Sequence, residues 1–321
     1  MSSSGRWELI RALGAVAGDP ADARTVLPAL GLGECDGASH TEVFVLNCSP
    51  YASVYLGAEG GLGGEAADRV AGFWRALGLE PPAEPDHLTC LLSLYATLGE
   101  DRSPVSGVMA PETGERSFDH VRRALFWEHV WPWVPGYLGA VTDVGVPALS
   151  AWAELAMQAL QDERDGLPAE PLPVALLPVS LLPVALREAP PALTGGEDLR
   201  DLLDALVTPI RSGMIITRRA LAAGAGQAGA GHRIGERRFT LRAMLEQEPE
   251  RTLSWLADEA ERWSARHTVS ARHTASARHT ASARHTGAAR HTGAAPGDPV
   301  HQWWADRATA TATALHLAAP A

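Results

Sequence analysis

Apolar residues recur at helical spacing along almost the whole chain. Val70, Phe73, Trp74 and Leu77 form one stripe, and Leu149, Trp152, Ala153, Ala156 and Leu160 form another. Leu199, Leu202, Leu203 and Leu206 make a third, and Leu253, Leu256, Ala257 and Ala260 a fourth. Apolar positions at i, i+3, i+4 and i+7 put one face of a helix into a core. Strand-like alternation is nearly missing. Val43-Phe44-Val45-Leu46 is the one short candidate, and it fits the start of a helix equally well. The pattern predicts an all-α protein and argues against β-rich folds and doubly wound sheets.

The best-defined helix start is Glu84-Pro85-Asp86-His87-Leu88. Pro85 favours an extended residue before it, and Asp86 can then cap the orphan amides of the helix that follows. Leu88, Leu91, Leu92 and Tyr95 give that helix its buried face, which leaves His87 at its mouth. Upstream lies Ser49-Pro50-Tyr51-Ala52-Ser53-Val54-Tyr55-Leu56-Gly57, and downstream Phe126-Trp127-Glu128-His129-Val130-Trp131-Pro132-Trp133. Tyr51, Tyr55, Trp74, Trp127, Trp131 and Trp133 thus concentrate in one region of a chain with only 6% aromatic residues. Such groups dominate binding hot spots, and they also pack helices together. For Trp74 packing is the expected role. For Trp131-Pro132-Trp133 the two readings balance.

Two low-complexity stretches divide the chain. Leu-Pro-Val recurs at 172, 177 and 182, and proline at that period blocks a continuous helix, so 166–196 reads as an extended Pro-rich linker. Residues 264–293 are hexads of the type Ser-Ala-Arg-His-Thr-x carrying His267, His273, His279, His285 and His291. On a helix six residues turn by about 600°, so successive imidazoles diverge and make no designed metal site. The hexads read as a repeat expansion in a connection between helices. The expected divisions are an N-terminal helical domain at 1–165, the linker at 166–196, a C-terminal helical part at 197–263, low-complexity sequence at 264–298 and a terminal helix at 299–321. In the C-terminal part a helix is expected to start near Thr240 as its cap, and the pairs Arg218-Arg219 and Arg237-Arg238 read as solvated or salt-bridged.

The net charge is −11, yet residues 264–293 hold five arginines and no acid, so the body is more acidic than the total implies. An acidic body disfavours nucleic acid and suits a positively charged partner such as an arginine-bearing peptide. The chain has no lysine, since all 27 basic residues are Arg. That excludes a Walker-type phosphate lysine, a pyridoxal Schiff base and a lysine general base. Cys35, Cys48 and Cys90 lack CxxC spacing and fit reduced thiols of a cytoplasmic protein. The N-terminus carries no signal segment, and no 18-residue apolar run free of proline and charge is present, so no stable membrane insertion is expected.

No HExxH, GxSxG, Walker or calcium-loop motif occurs. The Gly-rich Gly57–Gly64 lacks GxGxxG order and reads as a turn before a helix starting near Glu65. His87 with Asp86 and His129 with Glu128 are sequence neighbours, which do not face each other on a helix. A metal- or nucleotide-dependent enzyme would need His87 to approach His129 or Tyr51 in space. That is the alternative reading.

The order SPYxSVYLG, ExPDHL and a helix ending in His-x-x-Pro-Trp resembles the TorD/DmsD/NarJ family of molybdoenzyme chaperones, over roughly residues 40 to 140. One departure is Leu91, where family members often carry glutamate. The resemblance implies a TorD-like helical bundle with two helical parts, and no catalytic or metal-binding residues. It implies a system-specific cytoplasmic chaperone that binds the leader peptide and catalytic subunit of a molybdopterin oxidoreductase before export or assembly. A twin-arginine leader is the usual target. Client-binding residues are then expected at Tyr51, Ser53, Tyr55, Asp86, His87 and Leu88, supported by His129, Pro132 and Trp133. No cofactor is required; weak binding of the molybdenum cofactor or a guanine nucleotide, and the choice between monomer and domain-swapped dimer, stay open.

Overall fold

The computed structural model describes residues 3–100, 114–167, 182–231, 235–285 and 298–318. Among these no β-strand occurs; the nearest approach is an isolated antiparallel bridge between Tyr51 and His87. The chain divides into two compact units, the first built on Met1–Gln161 and the second mainly on Leu186–Ala321.

The first unit contains α1 (Ser3–Val16), α2 (Pro20–Ala29), α3 (Gly37–Thr41), a π-helical turn (Glu42–Asn47), α4 (Ala52–Leu56), α5 (Gly64–Ala76), α6 (Leu88–Glu100), α7 (Gly114–Leu125), a second π-helical turn (Phe126–Val130) and α8 (Val134–Val144). Helix α9 (Pro147–Gly166) closes it, and the division between units falls within that helix. α1 and α6 pack side by side, and Gly14 makes their closeness possible: a β-carbon there would lie 3.0 Å from Cβ of Leu92. Thr89 Oγ1 donates to the Gly14 carbonyl at 2.7 Å across the same seam. Trp152 of α9 donates its Nε1–H to the Leu13 carbonyl at 3.0 Å, and Phe44 meets its ring edge-on at 5.5 Å. The stripe of α9 is buried throughout. Each buried leucine removed from water contributes about 1.5–3 kcal/mol.

The ambiguous Val43–Leu46 segment is helical, within the first π-helical turn, which the Cys48 amide closes on the Val43 carbonyl at 2.7 Å. Val43 and Phe44 are buried while Val45 and Leu46 are exposed, a pairing that strand alternation cannot give. The Gly-rich turn ends where α5 begins at Gly64.

The short α10 (Val184–Arg187) is divided between the units, and the second unit holds α11 (Leu199–Leu206), α12 (Pro209–Ser212), α13 (Arg218–Ala228), α14 (Arg237–Gln247), α15 (Pro249–His285) and α16 (Pro299–Ala318). α15 and α16 pair along their length, with α13 and α14 against α15 and α12 against α16. Trp263, Trp304 and the α15 stripe Leu253, Leu256, Ala257 and Ala260 fill the core. Gly213 sits at φ +74°, where α12 meets the backbone of α16 at Ala308.

Three expectations change here. α14 starts at Arg237 with Glu236 at its cap position, so Thr240 is buried inside the helix rather than at its start. Arg237 donates to the Ile216 carbonyl at 3.1 Å and Arg238 pairs with Asp204 at 2.7 Å. The hexads are no connection up to His285: α15 carries them that far, because Ser, Ala, Arg, His and Thr interrupt no helix and the first glycine of the run is Gly287. Of the Pro-rich stretch, 168–181 lie outside the described residues, and the remainder is not simply extended: it forms the turn α10 and buries Leu186 and Leu193.

Candidate client-binding site

The two N-terminal motifs are joined by their backbones. The Leu88 amide donates to the Pro50 carbonyl at 2.8 Å, and the Ala52 amide donates to the Asp86 carbonyl at 3.0 Å. Asp86 does not cap its own helix. Its Oδ2 accepts from the Ser53 amide at 2.9 Å, so the carboxylate satisfies the first turn of α4 from across space. The role expected of Asp86 falls to His87, whose Nδ1 accepts from the Thr89 amide at 3.1 Å. That bond requires an unprotonated Nδ1, and burial pushes the imidazole below its ordinary value, with Glu84 and Asp86 acting in the opposite direction.

Tyr51 places its ring edge-on to His87 with centroids 4.7 Å apart. Burial, followed by its hydrogen bond to Glu84, pushes the Tyr51 phenol up to about 12, so it stays a donor to that carboxylate. Tyr55 donates to the Ser49 carbonyl at 2.9 Å and stacks on Trp133 at 5.2 Å. Ser53 Oγ accepts from the Gly63 amide at 3.2 Å, which pins the Gly-rich turn to the same unit.

The third motif closes the arrangement. The second π-helical turn ends as the Trp131 amide reaches the Phe126 carbonyl at 2.8 Å. The His129 carbonyl, which a continuing α-helix would pair with a backbone amide, accepts from Trp133 Nε1 at 2.9 Å instead. The His129 ring meets Phe73 edge-on at 5.1 Å, and burial, then Arg69, pushes it down to about 4.

These contacts link eight of the nine expected residues, with Pro132 beside Trp133 in sequence, and the nine fall in two classes. Ser53, Tyr55, Asp86, His87, Leu88, Pro132 and Trp133 are buried, while Tyr51 and His129 are half-buried. Trp131 and Trp133 are both buried, so their rings pack inside the unit. His87 does approach Tyr51, but its nitrogen is engaged as a helix cap, and the His129 ring faces Phe73. Among the described residues no group of three acidic, histidine or cysteine side chains is arranged to hold a metal ion. Leu91, the departure noted from the family pattern, is fully buried and part of the core.

Sequence reasoning did not single out Glu84 or the exposed apolar residues of the first unit. Glu84 is exposed, and Val45, Leu46 and Leu62 are large apolar side chains left in solvent, at 64%, 39% and 68% exposure. Leu62 could have been noticed as an aliphatic residue set among glycines. Val45 and Leu46 carried no sequence signal while their segment read as helix or strand.

Residues 35–138 match the family model described as nitrate reductase delta subunit. Over those residues the chain is similar to that family of molybdoenzyme maturation chaperones. The match covers about a third of the sequence and includes all three motifs. No curated protein is significantly similar to the chain. The family acts in maturation rather than catalysis, with nitrate-reductase-type molybdoenzyme subunits as partners. No helix among the described residues is long and apolar enough to cross a membrane.

Proposed function

We propose that this chain, similar over residues 35–138 to the nitrate reductase delta family, is a cytoplasmic chaperone that holds the leader peptide and catalytic subunit of a molybdopterin oxidoreductase until folding and cofactor insertion are complete. The observation that carries this reading is the joining of the SPYxSVYLG and ExPDHL motifs into one hydrogen-bonded unit with Tyr51 and Glu84 at its outer edge. The buried members, Ser53, Tyr55, Asp86, Leu88 and Trp133, position that edge. Tyr51 and His129 supply its partly accessible rings, buried His87 supports Tyr51, and Glu84 supplies a carboxylate for a guanidinium. Apolar Val45, Leu46 and Leu62 suit the hydrophobic segment of a leader. No bond is made or broken in this role, and no cofactor is needed.

Isothermal titration of the full chain with a twin-arginine leader peptide tests it. Binding should weaken in the Tyr51→Ala and Glu84→Gln variants and at high salt. Equal affinity in all three proteins would refute the site. The family description also suits a second reading, in which the client is a nitrate-reductase-type subunit, and on that reading the client need carry no export leader. Binding of the catalytic subunit without binding of a twin-arginine leader would select it.

A further inference from the structure

Helix α11 has an apolar stripe that outruns its cover. Leu206 and Leu203 are buried, Leu202 is half-buried, and Leu199 at the start of the helix is 49% exposed. Helix α14 packs beside α11, and while its Leu241, Ala243 and Met244 face the core, Phe239 is 51% exposed. The two exposed side chains converge. Leu199, Leu203 and Phe239 line one groove of about 470 Å³, whose remaining walls are Arg200, Glu236, Arg238 and Arg242. Single exposed apolar residues are ordinary, but two meeting over a buried third in one concavity mark an interaction site.

The charged rim says which partner fits. The lining carries three guanidiniums against one carboxylate, in a chain whose net charge is −11. Arg200 makes no ion pair among the described residues. Arg238 is paired with Asp204 at 2.7 Å and Arg242 with Glu246 at 2.8 Å, both in pairs exposed to solvent. Exposed pairs of this kind contribute only about 0.2–1 kcal/mol, so an incoming carboxylate can replace either partner at little cost. Asp204 and Glu246 offset two of the three guanidiniums, so it is Arg200 that gives the rim its preference for a carboxylate over an arginine-rich leader. A second copy meeting it around a two-fold axis would set guanidiniums against guanidiniums, which disfavours self-association through the same patch.

We propose that the groove between α11 and α14 docks a segment of the client protein that presents an apolar side chain flanked by carboxylates. The apolar side chain fills the space over Leu203 between Leu199 and Phe239, and its flanking acids meet Arg200, Arg238 and Arg242. Assigning the segment to the client rests on the chaperone reading; the acid-and-apolar chemistry of the groove does not. The chaperone would then grip its client at two places of opposite electrostatic preference. The motif region in the first unit takes the basic leader, and this groove takes an acidic segment elsewhere in the client.

The test is fluorescence anisotropy of the full chain with a labelled synthetic peptide, Glu-Glu-Leu-Leu-Glu-Phe-Glu. Two control peptides replace its acids by arginine or its apolar residues by serine. The acidic apolar peptide should bind, and both controls should bind at least about tenfold more weakly. Phe239→Ser and Arg200→Glu should each lower its affinity by a similar factor. Both positions are exposed, so helical circular dichroism should be unchanged, and binding of a twin-arginine leader should be untouched. Equal binding of the acidic and basic peptides, no binding of any peptide, or wild-type affinity in both variants would overturn the proposal. So would sedimentation showing a dimer that Phe239→Ser converts to monomer, since the groove would then be a contact between copies. Loss of leader binding in the Tyr51 and Glu84 variants is read separately, so either site can fail without the other.

Discussion

Replacing Asp86 by alanine should destabilise the first unit by about 2 kcal/mol, and the figure follows from one bond. The Asp86 carboxylate is only 3% exposed and accepts from the amide of Ser53, a residue with no exposure at all. Without it that amide, in the first turn of α4, is left buried without its acceptor. A hydrogen bond to a charged group contributes about 1.5–3 kcal/mol and a helix cap about 0.5–2 kcal/mol. Here both describe the same interaction, so the ranges overlap rather than add. At about 2–4 °C per kcal/mol for a unit of this size, the melting temperature should fall by about 4–8 °C. Urea unfolding followed by tryptophan fluorescence reads the change near Trp133, and far-UV circular dichroism reads the helices. Asp86→Asn keeps an acceptor at the same place and should lose distinctly less. If Asp86→Ala unfolds within about 0.5 kcal/mol of wild type, the carboxylate is not what joins the two motifs.

Further outcomes follow from other parts of the fold. Removing the His87 cap in His87→Ala should cost about 1 kcal/mol, and adding it to Asp86→Ala should give a non-additive loss, since the two residues adjoin and serve one seam, measurable as a double-mutant cycle in urea. In the second unit His267 and His301 are buried with ring centroids 6.0 Å apart, and burial lowers both; Arg266 and His301 add to the shift of His267, while for His301 Asp298 opposes it and Arg164 adds to it. Their folded values lie below the unfolded value of about 6.5, so the unfolded chain takes up protons first. Stability is therefore fully present above that pH and is lost as pH falls below it, by up to about 1.4 kcal/mol per unit for each histidine; a melting temperature flat from neutral pH down to acid would contradict the burial. Gly213→Ala should cost about 1–3 kcal/mol, because residue 213 holds φ +74° and a β-carbon there meets the backbone of Ala308; a neutral substitution by calorimetry would show that α12 and α16 can separate without cost.

The helices were legible wherever their stripes were long. The sets at 149–160 and 253–260 are buried as their spacing implies, because periodicity reports burial directly. The stripe at 199–206 was equally plain, yet its spacing cannot reveal that the cover ends before Leu199. The position of the site was legible as three motifs in order, but the part each residue plays was not. Asp86 reads locally as a cap for the helix beside it, while its partner Ser53 lies 33 positions away in sequence. His267 begins the same Ser-Ala-Arg-His-Thr pattern as the other hexads, and only the tertiary approach of Trp304, at 6.0 Å, makes it core. Thr240 was a plausible cap by composition, but the helix begins earlier, at Arg237, whose guanidinium bonds the Ile216 carbonyl. In each case the deciding atom belongs to a residue that no local window contains.

The account stands on the chain holding a molybdoenzyme subunit as it matures. Purifying the tagged full-length protein from its native host during anaerobic growth, and identifying what elutes with it by mass spectrometry, tests that claim most directly. The account predicts a stoichiometric catalytic subunit of a molybdopterin oxidoreductase, lost from the Tyr51→Ala variant. Recovery of the protein free of any such subunit, while the host is making the enzyme, would contradict it.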